Sequence, residues 1–234
     1  AIFRYLDENL KDKWKGVNDN MPVNDSMYVF VTKEEEKKFI ENMYSTDQEM
    51  TKYKKYREEW YLRAKKFEYG DYPLSVNCEL VSTCNLACTM CYTITDKFQN
   101  SVVGAQRMMP WKQVKNIIDE CAELNVPSMS FSWRGESTMY RSKDENSTLK
   151  DFADVLQYAR TKGILEITSL THGQLIDDKM AKKIVQAEPS WISFSIDGLD
   201  KKYNEIRTPA NKLSDKSYNA FERVSESIGL LVKY

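Results

Sequence analysis

From residue 74 onward, short β-rich runs alternate with stretches whose apolar residues recur every three or four positions. The run LSVNCELV at 74–81 reads as a strand. PWKQVKNIIDECAELN at 110–125 places Trp111, Val114, Ile117, Ile118, Cys121 and Leu124 on one stripe, with Pro110 near its start, which predicts a helix. SMSFSW at 128–133 predicts a strand, and 148–163 repeats the helical spacing at Phe152, Val155, Leu156 and Ala159 before Gly163 stops it. A strand over 164–170, a helix over 177–187, a strand over 191–196 and a helix over 217–234 complete the series.

This β-α-β-α-β-α-β-α order implies an α/β fold with a parallel sheet and right-handed crossovers. Ligands in such sheets bind on the loops after the strands' carboxyl ends. The chain's distinctive short motifs all fall there. They are a cysteine cluster after the first strand, RGES at 134–137 after the second, THG at 171–173 after the third and DG at 197–198 after the fourth.

Residues 1–73 have a different rhythm. They are polar, with alternation only at MYVFVT (27–32), and helical sequence at 33–43 and 48–70 sets Tyr53, Tyr56, Trp60 and Leu62 among many charges. We expect a mainly helical N-terminal extension over 1–73 that covers an end or edge of a domain spanning 74–234.

Composition narrows the possibilities. Of 234 residues, 34 are Lys or Arg and 35 are Asp or Glu, for a net charge of −1. That balance gives no electrostatic attraction to nucleic acid or to an anionic membrane. No apolar run is long enough to span a bilayer. The opening residues show no secretory signal, and the chain starts with Ala, so its natural start is expected upstream.

Three of the five cysteines, Cys84, Cys88 and Cys91, form a C-x3-C-x2-C pattern. Cysteines this close make poor disulfide partners for one another and read better as a metal site. Cys78 and Cys121 read as buried thiols. The chain has a single histidine, His172, which rules out a Cys2His2 zinc module. Three thiolates suit a 4Fe–4S cluster with one iron left open to a ligand, whereas zinc would require His172 as its fourth ligand. A non-catalytic zinc- or cluster-binding module therefore stands as the alternative.

The segment CNLACTMC resembles the cluster motif of the radical S-adenosylmethionine (radical SAM) superfamily. WRGES (133–137) is similar to its Gly-Gly-Glu motif, and SIDG (195–198) followed by Arg207 is similar to its Ser-x-Asp-Gly…Arg pattern. The resemblance covers 74–234 and is nearest the branch that often carries a C-terminal SPASM domain. It implies a partial (β/α)6, TIM-barrel-like core holding the first four βα units and cut before strands five and six. It further implies a cytoplasmic, oxygen-sensitive oxidoreductase-like enzyme that takes electrons from flavodoxin or ferredoxin. Such an enzyme cleaves S-adenosylmethionine reductively at a 4Fe–4S cluster. The resulting 5′-deoxyadenosyl radical takes hydrogen from a peptide, a sugar or another small metabolite.

By the same resemblance Cys84, Cys88 and Cys91 bind iron. Gly135 and Glu136 receive the methionine ammonium, Ser195 and Arg207 hydrogen-bond the ribose or methionine carboxylate, and Met90 packs against adenine. Two departures stand out: Met90 replaces a common aromatic, and Arg134 replaces the first motif glycine. His172 stands where related chains often carry Asn, so it either faces the pocket or serves the core. No acid or base is assigned.

Overall fold

The computed structural model describes residues 32–101, 107–210 and 218–234. The chain divides into two compact units, Ala1–Ser75 and Val76–Tyr234.

In the first unit, helices α1 (Lys33–Met43) and α2 (Asp47–Lys66) each start on a capping box, Thr32 with Glu35 and Thr46 with Glu49. Each box satisfies amide donors that a helix start leaves unpaired. Tyr44, at the end of α1, stacks on Tyr53 of α2 with ring centroids 4.4 Å apart. The MYVFVT run lies almost wholly outside the described residues.

The elements from β1 onward are β1 (Ser75–Asn77), α3 (Asp96–Ser101), α4 (Trp111–Glu123), β2 (Ser128–Ser130), β3 (Arg141–Lys143), β4 (Leu149–Asp151), α5 (Phe152–Thr161), β5 (Glu166–Thr171), α6 (Asp178–Gln186), β6 (Trp191–Phe194), α7 (Asp200–Ile206) and α8 (Ala220–Lys233). Four strands form one parallel sheet in the order β1-β2-β5-β6. Met129 pairs with Ile167, and Ser169 with Ile192. Parallel neighbours require long crossover connections, and α4, α5 and α6 supply them. This is the α/β order of four βα units that the pattern predicts, and it is consistent with the partial barrel that the resemblance implies.

The core lies between sheet and helices. Val114 and Ile118 of α4, Met129 and Ile167 of the sheet, Val155 and Leu156 of α5 and Ile184 of α6 are almost fully buried. Each such aliphatic side chain contributes about 1.5–3 kcal/mol of burial. A separate cluster of Tyr203, Ala220 and Val224 seats α7 against α8.

The structure departs from the pattern in places. The regular part of the second strand ends at Ser130, because 131–136 turns into the site. Residues 149–151 form not a helical turn but one arm of the antiparallel β3–β4 hairpin. The helix waits for Asp151, whose side chain caps it with Asp154. The short helices α3 and α7 carry too few residues to show a period, so the pattern does not predict them.

Candidate active site

The loops that leave β1, β2, β5 and β6 meet over one cavity of about 290 Å³. Its walls include Cys84, Cys88, Cys91, Met90, Gly135, Glu136, Ser195 and Arg207, so all eight predicted site residues share it. Trp133, Leu170, Tyr92 and His172 complete much of the lining. Met90, Tyr92 and Trp133 are more than half exposed at 56%, 60% and 68%, which gives the mouth an apolar rim.

The cysteine loop is held by backbone. Ala87 N–H donates to Thr208 O at 2.7 Å, Thr89 N–H to Ile206 O at 3.3 Å, and Ala210 N–H to Asn85 O at 2.8 Å. The chain after α7 thus runs antiparallel to the loop, with a bridge between Leu86 and Pro209. Each sulfur also has a polar neighbour. Leu86 N–H donates to Cys84 Sγ at 3.4 Å, Arg207 Nη1 donates to Cys88 Sγ at 3.6 Å, and Thr93 Oγ1 lies 2.8 Å from Cys91 Sγ.

Burial pushes the Cys84 thiol up to about 12. Cys88 is also raised by burial, against the opposing pull of the Arg207 cation. Burial works against the Arg207 charge, but Cys88 and Asp197 outweigh it, and the guanidinium is held above its ordinary pKa.

Gly135 shapes the opposite wall. Its φ is +66°, and a Cβ there would lie 2.4 Å from Val81 O and 2.5 Å from Thr83 O. Only glycine allows this approach, and it brings the motif loop against the residues just before Cys84. Glu136 N–H closes the contact by donating to Thr83 O at 2.9 Å.

The Glu136 carboxylate, expected to meet a ligand ammonium, is already bound within the protein. Oε1 accepts from Thr138 N–H, Thr138 Oγ1 and Thr171 Oγ1 at 3.1, 2.6 and 2.5 Å, and Oε2 accepts from His172 N–H at 3.0 Å. Each carboxylate oxygen has about two lone-pair sites, and Oε2 accepts one hydrogen bond here where Oε1 accepts three. Arg207, expected to grip a ligand carboxylate, directs both Nε and Nη2 to Asp197 Oδ2, each at 2.5 Å. Arg134, in the first-glycine position, turns sideways. Its Nε donates to Glu79 Oε2 at 2.6 Å, and its guanidinium lies over the Phe98 ring of α3.

Asn85 is legible only as a small residue of the cysteine loop, and sequence reasoning does not anticipate the hydrogen bonds that Asn85, Thr93 and Glu79 make here. Asn85 and Thr93 sit close to cysteines in the chain, which is the one signal available; the partner of Glu79 is distant in the chain.

The residues fit a 4Fe–4S cluster with S-adenosylmethionine. Three thiol donors face one cavity, each with a hydrogen-bonding neighbour, and a glycine-lined wall lets backbone approach. Among the described residues, no three His, Cys, Asp or Glu side chains gather closely enough to hold a single metal ion.

The parallel α/β sheet carries three cysteines on one cavity at its strand ends, and comparison with known proteins places the chain more narrowly. The radical SAM superfamily model matches residues 78–232, and the chain belongs to that superfamily. The superfamily uses a 4Fe–4S cluster and S-adenosylmethionine. The chain is 32% identical over 124 residues to Fe-coproporphyrin III synthase of Methanosarcina barkeri (strain Fusaro / DSM 804), covering 53% of this chain and 27% of that protein. It is 29% identical over 163 residues to mycofactocin maturase MftC of Mycolicibacterium smegmatis (strain ATCC 700084 / mc(2)155), covering 69% and 37%. The chain thus spans well under half the length of these curated relatives. Among solved structures, native anSMEcpe with bound AdoMet aligns with a TM-score of 0.49 at 21% identity, over 69% of this chain and 41% of that one. Among the described residues, no helix is long and apolar enough to cross a membrane.

Proposed function

We propose that this chain carries the cofactor-binding part of a radical SAM enzyme acting on a peptide or small organic substrate. Cys84, Cys88 and Cys91 are its iron ligands. One observation carries the reading: the three thiols share a single cavity with Gly135, Glu136, Ser195, Arg207 and Met90, and its walls come from four different strand ends.

When bound, the cluster and S-adenosylmethionine supply one-electron cleavage of the sulfonium and a 5′-deoxyadenosyl radical that takes hydrogen from the substrate. The chain's own residues bind and aim these groups. Backbone at Gly135 and the spare acceptor capacity of Glu136 Oε2 suit an ammonium. Ser195, just beyond β6, offers a hydroxyl to ribose or carboxylate. Arg207 sets a positive charge beside Cys88, which offsets part of the negative charge of thiolate ligation. The exposed side chain of Met90 provides a polarizable surface for an adenine ring. Trp133 and Leu170 form an apolar approach for substrate.

In this reading residues 1–73 are a helical extension, and the electron comes from a low-potential donor such as flavodoxin or ferredoxin in an oxygen-poor cytoplasm. The SPASM-type branch is supported by the likeness to MftC.

The test is anaerobic reconstitution of the chain and of its Cys84→Ala, Cys88→Ala and Cys91→Ala variants. The reading expects a brown protein with about four iron and four sulfide per chain, and loss of that cluster in each variant. A colourless zinc protein would overturn it.

A further inference from the structure

We propose that His172 is a positioning residue, whose ring ties the loop carrying Cys84 to the end of β5, where its backbone N–H holds Glu136. His172 follows β5 directly and is 3% exposed. Its two ring nitrogens have different tasks. Nδ1 accepts from Gln174 N–H at 3.0 Å, so the proton of the neutral ring belongs on Nε2. Nε2 lies 2.9 Å from Asn85 Oδ1 and 3.5 Å from Glu136 Oε2. The Nε2–H thus bonds Asn85, with the Glu136 carboxylate close by.

Burial holds the imidazole below its ordinary pKa, against the pull of the Glu136 carboxylate. That favours the neutral ring, with one nitrogen to accept and one to donate.

Asn85 is the residue next to Cys84, and it is held from two directions. Its carbonyl accepts from Ala210 N–H, while its side chain meets His172. The segment beyond α7 pins one side of the cysteine loop through its backbone, and His172 pins the other through a side chain. Glu136 is fixed by the same residue, since His172 N–H donates to its Oε2. The residue therefore reaches the first cysteine's loop through its ring and the motif carboxylate through its backbone. Groups one step removed from a metal ligand commonly control its affinity through orientation of this kind.

The proposal rests on the cluster assignment above, and its test separates the two. The two ring nitrogens can be mimicked one at a time. His172→Gln places an amide near the Nε2 position and keeps a donor for Asn85. His172→Asn places one near Nδ1 and keeps the acceptor for Gln174 but loses that donor. Asn85→Ala removes the other partner without altering His172. Each full-length variant is reconstituted anaerobically, then challenged with an iron(II) chelator. The electron paramagnetic resonance of the reduced cluster is recorded with and without S-adenosylmethionine, and the metal-free chains are melted in parallel.

Wild type and His172→Gln are expected to hold iron alike. His172→Asn and Asn85→Ala should release it about 10-fold faster or more, with an altered spectral response to S-adenosylmethionine. Asn85→Ala should do so while its metal-free chain melts close to wild type. The proposal is overturned alone if the wild-type cluster forms and both deficient variants retain iron and spectrum unchanged. It is also overturned alone if His172→Gln fails as badly as His172→Asn. A wild-type chain that takes up no iron overturns the cluster assignment, and this proposal with it.

Discussion

Gly135 offers a direct way to perturb the wall opposite the cysteines, because its surroundings are backbone atoms that cannot swing aside. In Gly135→Ala two costs add. The φ of +66° places the residue in the left-handed region, which costs a residue with a Cβ about 1–2 kcal/mol. The new methyl would also lie 2.4, 2.5 and 2.8 Å from Val81 O, Thr83 O and Thr83 N, so the two loops must separate. Overpacking of that kind costs about 1–3 kcal/mol. The sum, about 2–5 kcal/mol, lowers the melting temperature by roughly 4–20 °C for a unit of this size.

Gly163 is the internal control. Its φ is +81°, and nothing lies within 4 Å of the place a methyl would take, so Gly163→Ala carries only the conformational part, about 1–2 kcal/mol. Circular dichroism melts of the metal-free variants give the difference, and iron retention after reconstitution locates it. Gly135→Ala should lose iron retention as well as stability, since Thr83 immediately precedes Cys84. If Gly135→Ala melts no lower than Gly163→Ala and holds iron as wild type does, the close approach is not what shapes the site.

Three further outcomes follow from single contacts. Thr93→Val removes the hydroxyl 2.8 Å from Cys91 Sγ; with one donor to the sulfur gone, the reduced cluster is less stabilised, and its midpoint potential by redox titration should fall. Arg134→Gly restores the family's glycine but removes the Glu79 ion pair and the contact over Phe98, which should cost about 1 kcal/mol in denaturant titration. Burial works to raise the Asp151 pKa, but Lys183 and the Asp154 amide outweigh it and leave it lowered. Its stabilisation is therefore present above the unfolded value of about 3.9 and is lost as pH falls through the lower folded value. Asp151→Ala should cost about 1–2 kcal/mol at neutral pH through the lost helix cap and ion pair, and its melting temperature should fall less steeply than wild type in acid.

Much of the fold is legible in the chain because the apolar spacing is regular where burial is one-sided. Of the predicted stripe, Trp111, Val114, Ile118 and Cys121 are buried on the helix face, whereas Ile117 is only partly buried and Leu124 is exposed. The β3–β4 hairpin escapes the pattern for a local reason. Leu149 continues the helical spacing of 152–159, and apolar spacing alone does not register the capping pair Asp151 and Asp154 that marks the true start. The site's membership is legible from three short motifs, since every strand in a parallel sheet delivers its following loop to the same end. The side chains' present partners are not legible. Glu136 turns to Thr138, Thr171 and His172, and Arg207 to Asp197 and Cys88, and only the folded chain brings most of these groups together. In the sequence Asn85 is simply a small loop residue; its bond to His172 spans 87 positions.

The account turns on whether the cluster held by Cys84, Cys88 and Cys91 leaves an iron site for the sulfonium cofactor. The most direct measurement is the electron paramagnetic resonance spectrum of the anaerobically reconstituted, reduced chain before and after addition of S-adenosylmethionine, with iron and sulfide counted on the same sample. The account predicts about four of each per chain and a spectrum that changes on addition of the cofactor. A sulfide-free metal protein, or a cluster whose spectrum is indifferent to S-adenosylmethionine, contradicts it.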